Sequence, residues 1–290
     1  MTRHNVGFRD KLISASRRND TLLCVGLDVD PSRVPAELLE STGWIEQFNR
    51  GIVEATSDLV CAYKPNLAFY EALGLEGWDG LRRTLAAIPS DIPVIADAKR
   101  GDIDSTSEAY ASALFAELGF DATTVSPYVG LDGLEPFLRY DGRGVLVLCK
   151  TSNPGSGDFQ DLAVEWHGQR LPLYEVVARR VVEWNRRRNG ECGLVVGATY
   201  PNQLKEIRAL APDLPLLIPG IGAQSGSLED VVRLGVDARG ELAIVNVGRT
   251  ILYAGKQTDW QDAARREALR TVEAMRQSRL STSPGTDKRR

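Results

Sequence analysis

Apolar residues fall in short, nearly unbroken runs, separated by longer stretches in which they recur every three or four positions. The runs occupy 22–28, 59–66, 93–99, 122–126, 144–151, 194–199, 214–221 and 242–248. A strand with one wet face alternates apolar and polar residues. A continuous apolar run of this length instead suits a parallel strand covered on both faces. The stretches between them carry helical periodicity. One helix is predicted to begin after Asp104, where Ser105 and Glu108 have capping-box spacing and Tyr110, Ala113, Leu114 and Leu118 repeat on one face. Another is predicted over Leu173–Arg188, with Val176, Val177, Val181 and Trp184 as its apolar stripe.

Eight such units in 290 residues predict an α/β chain forming a single (β/α)8 barrel of the TIM type. An open, doubly wound sheet is the alternative, but the first run is not followed by the GxGxxG turn such a fold would carry there. No repeat of fixed period and no dividing linker interrupt the pattern. The reading is therefore one catalytic barrel over 1–277, then a disordered Ser/Thr/Pro/Lys/Arg-rich tail over 278–290. The stretch 152–170 breaks the regular spacing. It holds Asn153-Pro154-Gly155-Ser156-Gly157 and then Trp166 and His167, and a loop this long in a compact barrel is functional or forms an interface. Packing or an interface is the expected role of Trp166 and His167.

Composition narrows the function classes. A net charge of −4 argues against binding to nucleic acid or to an anionic membrane surface, so an anionic ligand needs a local site. No apolar run reaches the ~20 residues that cross a bilayer, and the polar N-terminus lacks the apolar core of a secretory signal. A cytoplasmic location is expected. Cys24, Cys61, Cys149 and Cys192 form no CxxC pair and read as reduced core thiols. With only His4 and His167, a His-rich metal site or a Ser-His-Asp triad has little to draw on.

Barrel chemistry takes place at the C-terminal ends of the strands. The first three runs end in Asp28, Lys64 and the pair Asp97 and Lys99. Side chains two apart on a strand share a face, so Asp97 and Lys99 should point the same way. Asp102 lies past Gly101, where it either completes this site or reaches another subunit. An ion-pair network that merely closes the barrel top would account for one Asp–Lys pair more readily than for four ionisable groups on adjacent strand ends. A second constellation follows the seventh and eighth runs: Gly220, Gly222 and Gln224 ahead of a helical pattern from Leu228, and Gly248-Arg249. Glycines let backbone N–H groups approach an anion, a helix N-terminus adds positive potential, and the Arg fork suits phosphate oxygens. Either loop alone would pass for a tight turn with a surface Arg; together, at these strands, they point to phosphate.

The run Asp97-Ala98-Lys99-Arg100-Gly101-Asp102 resembles the D-x-K-x-x-D signature of the orotidine monophosphate decarboxylase superfamily. The likeness extends over essentially the whole barrel and is greatest to its longer bacterial subgroup. It implies decarboxylation of orotidine 5′-monophosphate to uridine 5′-monophosphate and CO2, the last step of de novo pyrimidine biosynthesis, with no metal and no cofactor. Lys99 would be the proton donor, within a charged network of Lys64, Asp97 and Asp102. Asp28 would hold the ribose, Ser152 the pyrimidine, and Gln224 and Arg249 the phosphate. Asp102 and Thr106 would reach across a homodimer interface to the partner's site, and the loop after the seventh strand would close over the nucleotide as a lid. Sugar-phosphate relatives share the signature but use Mg²⁺ and place a glutamate on strand 2. Lys64 stands there in this chain and would repel a divalent cation, which favours the metal-free branch.

Overall fold

In the computed structural model, which describes residues 6–188, 191–221, 226–255 and 259–282, all eight apolar runs carry strands. They are β1 (Leu23–Gly26), β2 (Ala62–Lys64), β3 (Ile95–Arg100), β4 (Ala122–Val125) and β5 (Gly144–Lys150). After a hairpin, β6 (Ala163–Trp166) and β7 (Gln169–Pro172), come β8 (Cys192–Val196), β9 (Leu216–Ile218) and β10 (Ala243–Val247). The barrel strands are parallel and neighbour one another in the order β2-β1-β10-β9-β8-β5-β4-β3. Isolated bridges Tyr63↔Val94 and Asn66↔Asp97 join β3 back to β2 and close the ring. The (β/α)8 barrel expected from the pattern is the fold observed.

Strand alternation sorts the interior into layers. Each barrel strand gives one residue to the innermost core: Cys24, Ala62, Ile95, Ala122, Leu146, Val195, Leu217 and Ile244. Phe8 and Leu12, from the helix Phe8–Asn19, plug this layer from below. Phe8 fills the space beside Gly144 that a side chain there would occupy. Two residues further along each strand is the layer at the barrel mouth: Gly26, Lys64, Asp97, Thr124, Leu148, Gly197, Pro219 and Asn246. The polar members of that set come chiefly from β2, β3, β4 and β10. The larger core lies outside the strands, where the intervening helices cover them, which is why the strands read as unbroken apolar runs.

Three expectations shift. The helix expected after Asp104 includes it, as Asp104–Ala111; Ile103 is its N-cap, and no side chain caps it. Ser105 therefore sits inside the first turn, and the Ser105–Glu108 capping box does not form. The chain continues as a π-helical turn, Ser112–Glu117. At the other end, the helix Trp260–Thr282 runs through 278–282, past the expected end of the barrel at 277. Arg276 donates to the backbone carbonyls of Asn19 and Asp20, and Arg279 pairs with Asp20, so these two side chains tie this helix to the end of the first. Residues 283–290 lie outside the described residues. Finally, the stretch 152–170 runs into the β6–β7 hairpin, which ends at Pro172 and was not foreseen. Its Trp166 packs under the Arg180 guanidinium at 4.1 Å and against the His167 ring at 4.8 Å, holding the hairpin to the helix Leu173–Arg188.

All four cysteines are buried and free. Among the described residues, no helix is long and apolar enough to cross a membrane.

Candidate active site

An open cavity of about 450 Å³ sits at the C-terminal mouth of the barrel, within the size range of small-molecule sites. Leu148, Val195 and Leu217 line its depth. Lys64, Asp97, Lys99, Asp28 and Arg249 bring charge to its walls.

Its most ordered part spans β2 and β3. Lys64 Nζ donates to Asp97 Oδ2 at 2.6 Å, and Lys99 Nζ donates to Asp97 Oδ1 at 2.5 Å. One carboxylate thus holds two ammonium groups. The Lys64 side chain is only 3% exposed, whereas that of Lys99 is 49% exposed and opens to the cavity. Asp97 and Lys99 do share a face, but regular alternation is not the cause. Between Ala96 and Arg100 the register of β3 against β4 shifts: four steps on β3 match the two from Thr123 to Val125. Lys99 takes the left-handed conformation, φ 47°, which costs a residue with a Cβ on the order of 1 kcal/mol. Thr124 stabilises this turn by accepting the Lys99 backbone N–H at 2.9 Å and donating to Asp97 Oδ1 at 3.1 Å.

The charges set one another's titration. Burial opposes ionisation of Asp97, yet Lys64 and Lys99 outweigh it and hold the carboxyl well below the usual carboxylate range. Burial likewise opposes the Lys64 ammonium, but Asp97 and Asp28 push its pKa above the ordinary lysine value. Asp28 goes the other way. Burial, with Asp97 adding to it, raises its pKa despite Lys64 and Lys99 nearby, and its Oδ1 is buried with no hydrogen-bond partner. Asp28 is a carboxylate left short of partners at the edge of a cavity.

The opposite wall comes from the ends of β9 and β10. Gly220 has φ 103°, a conformation that favours glycine. Gly248 leads into the single turn Arg249–Leu252, and both Gly248 and the exposed Arg249 border the cavity. The Tyr253 hydroxyl, just past this turn, accepts from the Asp30 N–H at 2.7 Å and donates to the Asp28 carbonyl at 2.9 Å. The loop bearing Asp28 is thereby tied to the loop bearing Arg249. Ser152 and its neighbours Thr151 and Asn153 form a third wall, after β5. Gly197 lies directly behind Ser152: a Cβ there would come within 2.7 Å of the Ser152 backbone nitrogen.

The structure therefore brings together Asp28, Lys64, Asp97, Lys99, Ser152, Gly220, Gly248 and Arg249. Gly222 and Gln224 lie outside the described residues. Asp102 and Thr106 do not border the cavity of this chain. Asp102 accepts the N–H of Ile103 at 2.8 Å, and Thr106 is exposed on the following helix. Thr124, Asn246 and Lys150 were missed. The first two lie in the mouth layer, and counting two residues on from each interior position would have found them. For Lys150 no comparable signal exists, because a break in register decides where it points.

The orotidine 5′-phosphate decarboxylase / HUMPS family model matches residues 21–264. An orotidine 5′-phosphate decarboxylase of Herpetosiphon aurantiacus is 52% identical over 263 residues, covering 90% of this chain and 95% of the relative. One from Dehalococcoides mccartyi is 50% identical over 268 residues, covering 92% and 97%. Among solved structures, the Leishmania donovani OMP decarboxylase superposes with a TM-score of 0.81 at 42% identity, covering 95% of this chain and 100% of that one. With the charged clasp at the barrel mouth, these likenesses place the chain in the orotidine 5′-phosphate decarboxylase / HUMPS family.

Proposed function

We propose that this protein converts orotidine 5′-monophosphate to uridine 5′-monophosphate and CO2, the final step of de novo pyrimidine biosynthesis, without metal or cofactor. The observation that carries this reading is the Lys64–Asp97–Lys99 clasp, with Lys99 half exposed to a cavity that also holds Asp28 and Arg249. When the carbon–carboxylate bond breaks, its electron pair stays on the ring carbon. The Lys99 ammonium, fixed by Asp97, stabilises that charge and then donates a proton to the carbon, and solvent restores the ammonium. Asp28 takes the ribose hydroxyls, which would supply the missing partner for its Oδ1. Ser152 meets the pyrimidine. Gly220, Gly222, Gln224, Gly248 and Arg249 take the phosphate, whose binding energy offsets the cost of ordering and desolvating the distant reacting end.

In this reading the enzyme is a cytoplasmic homodimer, and each protomer lends Asp102 and Thr106 to its partner's site. The exposure of Ile103, Tyr128 and Val129 supports such an interface: Ile103 adjoins Asp102, and both Val129 and the Asp102 carbonyl lie against Gly133. Sedimentation of the active enzyme tests it, since a strictly monomeric active species would remove the role of Asp102 and Thr106.

The activity is tested by following the ultraviolet absorbance of orotidylate with purified protein in excess EDTA, beside Lys99→Ala. The expected result is conversion to uridylate that is lost in the variant. No conversion by the wild type, with turnover of a sugar phosphate once Mg²⁺ is restored, would assign the chain to the sugar-phosphate branch.

A further inference from the structure

Lys150, the last residue of β5, is more enclosed than the other buried cations among the described residues, Lys64 and Arg208; its side chain is 0% exposed. An ammonium in such a place is costly unless every proton is used. Here Nζ donates to both oxygens of Asp161, at 2.7 and 2.8 Å, and to Ser156 Oγ at 3.0 Å. It also sits 4.4 Å from the centre of the Tyr200 ring. By alternation from Leu146 and Leu148, Lys150 would point into the barrel mouth. The register between β5 and β8 shifts just before it: Leu148 pairs with Val195 but Lys150 with Val196. That extra residue turns the side chain away from the cavity, and Lys150 does not line it.

The side chain instead reaches over the loop that begins at the next residue. Residues 151–153 face the cavity, and Ser156 and Asp161, on the return of the same loop, are gripped by Lys150. Two further ties depend on this closure. The Gln160 side chain accepts the Thr151 N–H and donates to the Thr151 hydroxyl, both at 2.8 Å. The Tyr200 hydroxyl donates to the Asn153 carbonyl at 3.2 Å and lies 3.2 Å from Ser156 Oγ.

We infer that Lys150 is a positioning residue: it never touches the ligand, and it fixes the Ser152-bearing turn against the base end of the nucleotide. This rests on the decarboxylase reading, in which that turn meets the pyrimidine while Asp28 and Arg249 meet the ribose phosphate. A merely structural residue would weaken all ligands alike, whereas this one should act on the base alone. The test compares binding of uridine 5′-monophosphate with binding of ribose 5-phosphate, which has no base, in the full-length wild type, Lys150→Met and Asp161→Asn. The second variant changes the half-exposed partner and so guards against a Lys150→Met chain that does not fold. Uridine 5′-monophosphate affinity and kcat/KM for orotidylate are expected to fall by about tenfold to a hundredfold, with ribose 5-phosphate affinity changed less than about twofold. Parallel losses for both ligands, or no loss for either, would overturn the positioning role while leaving the activity intact. A wild type that turns over no orotidylate would overturn the activity, and this role with it.

Discussion

Lys99 and Lys150 both stand at the C-terminal end of a barrel strand, each beside a break in register and each bonded to an aspartate. Their surroundings separate them. Lys150 spends its protons on Asp161 and Ser156 and faces a tyrosine ring. Lys99 has one partner, Asp97, and a side chain half open to the cavity. An ammonium with all its protons engaged is suited to hold a loop still. One with protons to spare, aimed by a single carboxylate, is suited to give one away. Residue type is the same and strand position differs by one residue, Lys99 being penultimate in β3 and Lys150 last in β5; the number of partners makes the difference.

That contrast can be pressed from several sides. The largest effect is expected from Lys99→Ala: a fall in kcat on the order of 10⁴-fold with little change in melting temperature, since Asp97 keeps Lys64. A melting temperature that collapsed along with activity would make Lys99 structural, like Lys150. Next comes Asp97→Asn, which strands the buried Lys64 and should cost about 3–5 kcal/mol in denaturant unfolding at neutral pH. The sign of its pH dependence follows from the depressed Asp97 pKa. The carboxylate contributes stability above the ordinary carboxylate pKa of about 4 and loses it as pH falls toward the lower folded value. The stability gap between wild type and variant should therefore narrow in acid, and a gap that widened would contradict the pairing.

Smaller effects sharpen the picture. Asp28→Asn removes a charge that the fold disfavours, so its thermal unfolding should show a gain on the order of 1 kcal/mol at neutral pH while kcat/KM falls. A destabilised variant would mean that Asp28 is already satisfied without ligand. Smallest is the difference between Lys99→Gly and Lys99→Ala. Both should be inactive, with glycine more stable by several tenths of a kcal/mol, because the position is left-handed.

The barrel was legible in the sequence because strands covered on both faces must be apolar throughout. The acidic and basic strand ends stood out against those runs for the same reason. Asp28, Lys64, Asp97 and Lys99 could be collected at one rim from strand ends alone. Their geometry could not, since the Asp97–Lys99 approach depends on a two-residue irregularity in β3 that alternation does not foresee. Lys150 was hidden by the same kind of event, closing an apolar run where a lysine passes for an ordinary strand end. The β6–β7 hairpin went unseen because it is short and none of its strand residues is buried, so no buried face marks it. Thr124 and Asn246 are each two residues on from an interior position, Ala122 and Ile244, so strand alternation alone places them at the mouth.

The ring closes between β2 and β3 by isolated bridges where its other neighbours share ladders. Two backbone hydrogen bonds, from the Tyr63 and Asp97 N–H groups to the Pro93 and Pro65 carbonyls, reinforce that closure. The Lys64–Asp97 ion pair spans the same joint. A cylinder with one lightly stitched edge breathes there first, so amide hydrogen exchange should reach Tyr63 and Asp97 ahead of the β5–β8 amides. A molecule seated across Lys64, Asp97 and Lys99 would act as a rivet on that edge. Slowed exchange along it would then report occupancy of the pocket without any chemistry taking place.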